Sequence, residues 1–127
     1  MNLIDSDILI DAAHNKTEAI AFLRGLENIR QSMSISVVTY LELIVGCRNK
    51  QEQREVQKLS TRFNFLHISE SISTRAKDLV EMYFLSHGLL IPDALIAATA
   101  LENDITFFTK NIRHFQMIEG LKVNRPY

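Results

Sequence analysis

Short apolar runs alternating with longer helical stretches constrain this chain more than any other feature of it. Asn2-Leu3-Ile4-Asp5, Ser34-Ile35-Ser36-Val37-Val38, Phe65-Leu66-His67-Ile68 and Ile105-Thr106-Phe107-Phe108 are rich in apolar, β-branched and aromatic residues. They are also too short for stable helices, so they read as buried strands. Leu121-Lys122-Val123 adds a candidate edge strand.

The intervening segments carry helical periodicity. A first helix runs through Ile8, Leu9 and Ala12, with Ser6 or Asp7 available as its cap, and a second spans Lys16 to Asn28. A third begins at Thr39 and carries Leu41, Leu43, Ile44 and Val45, whose apolar character suggests deep burial. Lys50 to Arg62 is a polar helix with Val56, Leu59 and Phe63 on one stripe. Ile72 to Ser86 is amphipathic and ends at Gly88, the residue a helix C-cap prefers. Pro92 opens a last helix reaching Leu101. Strands alternating with helices predict an α/β fold, a three-layer α/β/α sandwich around a central, mostly parallel sheet.

At 127 residues, with no linker, repeat or low-complexity stretch, the chain is expected to form a single domain over 1–127. No apolar run is long enough to span a bilayer, and the start lacks the basic segment of a secretory signal. Cys47 is the only cysteine, so no internal disulfide can form, and a cytoplasmic location is expected. The formal net charge of −1 gives no global attraction for nucleic acid, so any such role must rest on local patches.

In parallel sheets, ligands bind beyond the carboxyl ends of the strands. Asp5 and Asp7 follow the first strand, Thr39 and Glu42 the second, and Thr109, Lys110 and Asn111 the fourth. Asp93 stands in the first turn of the helix leading into that fourth strand. Each acid also has an ordinary structural explanation. Asp5 can be a helix cap, and Thr39-Tyr40-Leu41-Glu42 fits a capping box in which Glu42 folds back on Thr39. Asp93 beside Pro92 suits a helix dipole. Ala94, Ala97, Ala98 and Ala100, however, make a helix able to approach the sheet closely and hold Asp93 near the strand ends.

Three carboxylates at one edge would repel one another unless a cation compensates. Oxygen ligands without a Cys or His motif select a hard ion, Mg²⁺ or Mn²⁺, and such an ion commonly works on phosphate esters. His14, His67, His87 and His114 lack metal-ligand spacing and suit surface or packing roles. Asp11, one turn after Asp7, is expected to be solvated or capping, and Cys47 to be a small core residue.

With these residues in view, the chain resembles a PIN domain, and specifically a VapC-type toxin of a bacterial toxin–antitoxin pair. Four blocks carry the resemblance: Leu3-Ile4-Asp5-Ser6-Asp7-Ile8-Leu9-Ile10-Asp11; Ile35-Ser36-Val37-Val38-Thr39-Tyr40-Leu41-Glu42-Leu43 followed by Gly46; Ile91-Pro92-Asp93-Ala94-Leu95-Ile96-Ala97-Ala98-Thr99-Ala100; and Phe107-Phe108-Thr109-Lys110-Asn111-Ile112-Arg113-His114-Phe115. Together they span nearly the whole chain in the family's order. The resemblance implies a metal-dependent endoribonuclease, a homodimer, and an antitoxin that inserts into or covers the active site. Asp5, Glu42 and Asp93 match the family's acidic metal ligands. Asn111 stands at a fourth position that is often Asp, which leaves one metal or two open, and Asp7 stands where many relatives carry Asn.

The expected chemistry follows. Asp5, Glu42 and Asp93 hold Mg²⁺ (or Mn²⁺) that activates water for in-line attack on an RNA phosphodiester, while Asn111 and Thr109 arrange the water or the ligands. The resemblance implies 5′-phosphate and 3′-hydroxyl products. Among Lys110, Arg113, Lys122 and Arg125, the first two lie beside the expected site and are the candidate RNA contacts. The row Lys50, Arg54, Lys58 and Arg62 reads as a solvated face pairing partly with Glu52 and Glu55.

Three other readings compete. Asp5-Ser6-Asp7 is similar to the paired aspartates of haloacid-dehalogenase-like phosphatases, but Leu9 replaces their usual Thr or Val and no later Gly-Asp motif appears. A receiver-type signalling domain needs a phospho-acceptor Asp after a central strand, where this chain offers Thr39 and Ser69. A non-catalytic PIN scaffold would bind a partner only.

Overall fold

The computed structural model describes residues 1–127. Five strands, β1 (Asn2–Ile4), β2 (Met33–Ser36), β3 (Asn64–Leu66), β4 (Thr106–Phe108) and β5 (Val123–Asn124), alternate with six helices. The helices are α1 (Ser6–Ala13), α2 (Thr17–Asn28), α3 (Val37–Val45), α4 (Lys50–Ser60), α5 (Glu70–His87) and α6 (Ile91–Asn103). One sheet holds all five strands in the order β3-β2-β1-β4-β5, and every pairing is parallel. The expected edge strand after Leu121 is β5, shifted by two residues, and the sheet draws on both ends of the chain.

The two faces of the sheet follow the period of two in each strand. Leu3 and Phe107 point into a core built with α5 and α6, where Ile72, Leu79, Ile96 and Phe115 pack. Ile4 and Ile35 point the other way, into a core with Ile8, Leu9 and Leu23 from α1 and α2. Phe107 and Phe115 meet edge to face at 4.8 Å, both essentially inaccessible. Side chains of this size each contribute about 1.5–3 kcal/mol by leaving water.

Local signals placed most helix ends correctly. Gly88 closes α5 in the left-handed region at φ 68°, where a Cβ would be strained. Pro92 lies within the first turn of α6, and Ala94, Ala97, Ala98 and Ala100 are buried against the sheet. Such a seat is open only to small side chains.

One helix start bears out the capping role read for Asp5 and decides between the candidates, and another differs from expectation. The cap of α1 is Asp5, whose carboxylate accepts the Ser6 N–H at 2.8 Å, and not Ser6 or Asp7. The third helix begins at Val37, capped by Ser36 accepting the Val38 N–H at 3.1 Å. Thr39 is therefore inside the helix and fully buried, so the Thr39–Glu42 capping box does not form. Val37 and Val38 prefer strands in isolation, and packing overrides that preference. Nor is α3 deeply buried: Leu41 and Val45 are exposed, as is Glu42.

The order of strands creates a switch point. From β1 the chain moves to β2 and β3 on one side, then crosses to β4 and β5 on the other. The crevice beyond the carboxyl ends of β1 and β4 is where such a sheet opens a ligand site. Asp5 and Thr109 are the residues that follow those two strands.

Candidate active site

Asp5 is the best-fixed residue of the site. It is 6% exposed and both carboxylate oxygens are engaged. Oδ1 accepts the Ser6 N–H, and Oδ2 accepts the Thr109 hydroxyl at 2.7 Å. Thr109 is fully buried, and its oxygen in turn accepts the Asn111 N–H at 3.0 Å. Burial, reinforced first by the neighbouring Asp7 charge and more weakly by Glu42, pushes the Asp5 carboxyl up to about 7. The Thr109 and Ser6 hydrogen bonds pull in the opposite direction and do not compensate.

Asp7 ties the same loop down a second time. Its Oδ2 accepts the Lys110 N–H at 2.9 Å. Its Oδ1 is buried without a partner, an open acceptor beside the most perturbed carboxyl of the molecule. Asp7 carries more of the electrostatic load on Asp5 than Glu42 or Asp93 does, a ranking that spacing along the chain did not disclose.

Glu42 and Asp93 complete the acidic edge from two helices, α3 and α6, which touch. Asp93 is partly buried, and its carboxyl is raised by desolvation against a lowering contribution from His114, whose Nδ1 stands 3.7 Å from Oδ2. Glu42 is raised by partial desolvation and then by Asp93. Charge thus couples Asp5 to Glu42 and Glu42 to Asp93.

The shared cluster expected of the three acids is met only in part. As the side chains stand, no three His, Cys, Asp or Glu residues are close enough to hold one ion between them. The acids form an electrostatic chain and not a closed cage. Desolvation also outweighs mutual repulsion as the cause of every one of the three shifts.

The basic residues divide sharply. Lys110 carries its ammonium onto Asp11, Lys122 pairs with Asp104 at 2.9 Å, and Arg125 donates to the Lys110 carbonyl. Arg113 stands exposed and outside these pairings. Of the two expected RNA contacts, Arg113 is thus free and Lys110 is occupied. Along α4 the pairing differs from the one read from sequence: Arg48 takes Glu52, and Arg62 takes Glu27 from α2. Asp11 is held by Lys110 and by the Tyr127 hydroxyl at 2.7 Å, and is neither merely solvated nor capping. His114, set aside for want of ligand spacing, lies against Asp93 because the short 3₁₀ turn Ile112–His114 folds back toward α6.

A groove of about 820 Å³ adjoins the site. Leu9, Ile20, Leu43, Val56 and Leu59 give it an apolar floor, Arg24 and Arg48 add charge, and Glu42 stands on its wall. Cys47 lines it as well, half-buried and donating its thiol to the Leu43 carbonyl, and so is not a core residue. No helix of the molecule is long and apolar enough to cross a membrane.

Comparison with known proteins converges on one family. The family model for the PIN domain matches residues 3–120. Ribonuclease VapC10 of Mycobacterium tuberculosis is 41% identical over 125 residues, covering 96% of this chain and 91% of the relative. Ribonuclease VapC19 of the same organism is 31% identical over 123 residues, covering 96% and 98%. Among solved structures, a toxin–antitoxin complex from Klebsiella pneumoniae superposes with a TM-score of 0.80 at 31% identity, covering 100% of this chain and 98% of that one. DNA-bound VapBC from Salmonella typhimurium gives 0.85 at 21% identity over 99% and 98%, which speaks to the fold. Neither the phosphatase nor the receiver reading finds support in these matches. With its strand order, its acidic switch point and a family match over nearly its full length, this chain belongs to the PIN-domain family.

Proposed function

We propose that the protein is a divalent-metal-dependent endoribonuclease, the toxin of a toxin–antitoxin pair, acting in the cytoplasm. The observation that carries this reading is the Asp5 carboxylate, buried at the β1–β4 switch point and coupled through Glu42 to Asp93. The names of the VapC relatives and of the toxin–antitoxin complex that the chain resembles support the same activity.

The residues suit a hard cation. The acids themselves offer only oxygen donors, with the ring nitrogen of His114 nearby, beside Asp93; three of them stand above their ordinary pKa, and the Asp7 Oδ1 is buried without a partner. Asp5, Glu42 and Asp93 would hold Mg²⁺ or Mn²⁺, with the Asn111 amide as a neutral neighbour. When bound, the ion supplies an acidified water and stabilises charge on the reacting phosphate. Thr109 orients Asp5 by donating to Oδ2. The exposed Arg113 positions the RNA backbone by its charge, and Lys110 could join it only by leaving Asp11. Cleavage is expected to leave a 5′-phosphate and a 3′-hydroxyl.

The groove is the proposed seat of the antitoxin. Its apolar floor suits an amphipathic segment, and because Glu42 forms part of its wall, a segment lying there reaches the acidic edge. A homodimer is also proposed, supported by the exposed Leu41, Val45, Met82, Leu85 and Ile91. Light scattering on the purified protein checks it, and a monomer at micromolar concentration would refute it.

The decisive test incubates cellular RNA with the protein, with and without Mg²⁺, and sequences the new ends. New 5′-phosphate ends that need both Mg²⁺ and Asp5 support the reading. Equal cleavage by a folded Asp5→Asn variant sinks it.

A further inference from the structure

Every polar group of Lys110 is spoken for. Its N–H donates to Asp7 Oδ2 at 2.9 Å, its carbonyl accepts from Arg125 Nη1 at 2.9 Å, and its ammonium pairs with Asp11 Oδ2. Asp7 and Asp11 are one helical turn apart on α1, so a single helix face grips both the backbone and the side chain of this residue. The Tyr127 hydroxyl donates to that same Asp11 oxygen at 2.7 Å. The ammonium groups of Lys110 and Lys16 lie 5.8 and 5.4 Å from the Tyr127 ring centre. Arg125 closes the circle by donating also to the main-chain oxygen of Tyr127.

Flanking Lys110 are Thr109, which orients Asp5, and Asn111, whose N–H rests on the Thr109 hydroxyl. The loop that serves the acidic edge is therefore anchored through a residue whose own charge is already taken by Asp11.

We propose that Tyr127, Asp11 and Lys110 form a latch that positions the Thr109–Asn111 loop against Asp5, making Tyr127 and Lys110 positioning residues rather than RNA contacts. The inference deepens the nuclease reading and, for its kinetic arm, rests on it. Tyr127 sets the carboxylate of Asp11, Asp11 sets the ammonium of Lys110, and Lys110 sets the backbone on either side. A phosphate contact would have to break the Asp11 pair, which burial of the Lys110 stem and the adjacent Tyr127 ring both favour.

The test uses the full chain with Tyr127→Phe, which removes one hydroxyl and keeps the ring, and Lys110→Met, which keeps the stem. Hydrogen exchange read amide by amide should show the Lys110 and Asn111 N–H groups opening about tenfold more in Tyr127→Phe, as expected for one lost bond to a charged acceptor, with core amides unchanged. For RNA cleavage, both variants should lower kcat by roughly three- to tenfold while KM stays within about twofold. The double variant should be no worse than Lys110→Met alone, because the two residues act through one carboxylate. Lys110→Arg, which can still reach Asp11, should recover most of the rate. Unchanged exchange in Tyr127→Phe overturns the latch. So does a large rise in KM for Lys110→Met that adds to the Tyr127→Phe effect, because that is the mark of a direct RNA contact. If the unmodified protein cleaves no RNA, or Asp5→Asn cleaves it equally well, the nuclease reading fails, and the exchange result still judges the latch.

Discussion

The two halves of the acidic edge are built differently. Asp5 caps a helix, accepts a hydrogen bond from a buried hydroxyl, and sits at the carboxyl end of the paired strands β1 and β4. Glu42 and Asp93 ride on helices, and neither carboxylate accepts a hydrogen bond from a neighbouring N–H or hydroxyl of the molecule. The contact between Asp93 and His114 is a looser 3.7 Å approach. One half is preorganised by the protein, and the other is left for a cation or a partner to draw in. That division explains why the acids feel one another's charge without forming a closed cage. A buried carboxylate with fixed hydrogen bonds can wait for a metal, whereas acids without such bonds can follow it in and release it.

The difference can be broken at several points, with effects of decreasing size. Asp5→Asn should lower Mg²⁺-dependent RNA cleavage by about a thousandfold or more, since it removes the charge that the fold holds in place at the strand ends. Circular dichroism should show the fold unchanged. Glu42→Gln and Asp93→Asn should each cost roughly a hundredfold, because water or the other, unbonded acid can replace part of the lost ligand. A larger loss at Glu42 than at Asp5 would reverse the comparison.

Thr109→Val sharpens it further. The swap keeps the volume but leaves Asp5 Oδ2 without its donor in a dry site, so the Asp5 carboxyl should rise beyond its already elevated value. Cleavage should fall about ten- to a hundredfold, with the acidic limb of the pH–rate profile displaced upward. An unmoved limb would show that Asp5 does not report on that hydroxyl.

Stability follows the same carboxyl with a definite sign. The folded pKa of Asp5, about 7, lies above its ordinary 3.8, so folding favours the protonated form. Without divalent ions, stability from this group is complete below about pH 4 and is lost as pH rises through 7. A shift of this size corresponds to on the order of 4 kcal/mol. Asp5→Asn, which never ionises, should therefore raise Tm by several degrees at pH 8 and by little at pH 4.5 in EDTA. Thermal melts at the two pH values check it. Smallest of all, Ser36→Ala removes the cap of the helix that carries Glu42 and should cost about 1 kcal/mol with little effect on Asp5.

How much of this was written in the sequence depended on distance along the chain. The alternation of short apolar runs with amphipathic stretches disclosed the parallel sheet, and the small residues from Ala94 to Ala100 disclosed why α6 lies close to it. Local chemistry misled where two hydroxyls competed. Ser36 and Thr39 are both plausible caps, and Val37 and Val38 read as strand until packing places them in a helix. What spacing could not disclose is the set of side-chain bonds spanning most of the chain. Thr109 reaches Asp5 across 104 residues, and Tyr127 reaches Asp11 across 116. The alternation tells which strand ends share an edge, but the pairing of particular oxygens is fixed only by rotamers in the folded state. Desolvation is hidden for the same reason, because it belongs to everything packed around Asp5 and not to Asp5 itself.

The central claim is that the fixed half of the edge, Asp5 above all, holds a divalent cation. Thermal unfolding of the unmodified protein and of Asp5→Asn, followed across a Mg²⁺ titration at pH 7.5, addresses it without depending on any RNA. Binding to the folded state alone should make Tm climb steadily with the logarithm of Mg²⁺ concentration in the unmodified protein and leave Asp5→Asn flat. Parallel slopes in the two proteins would contradict the account.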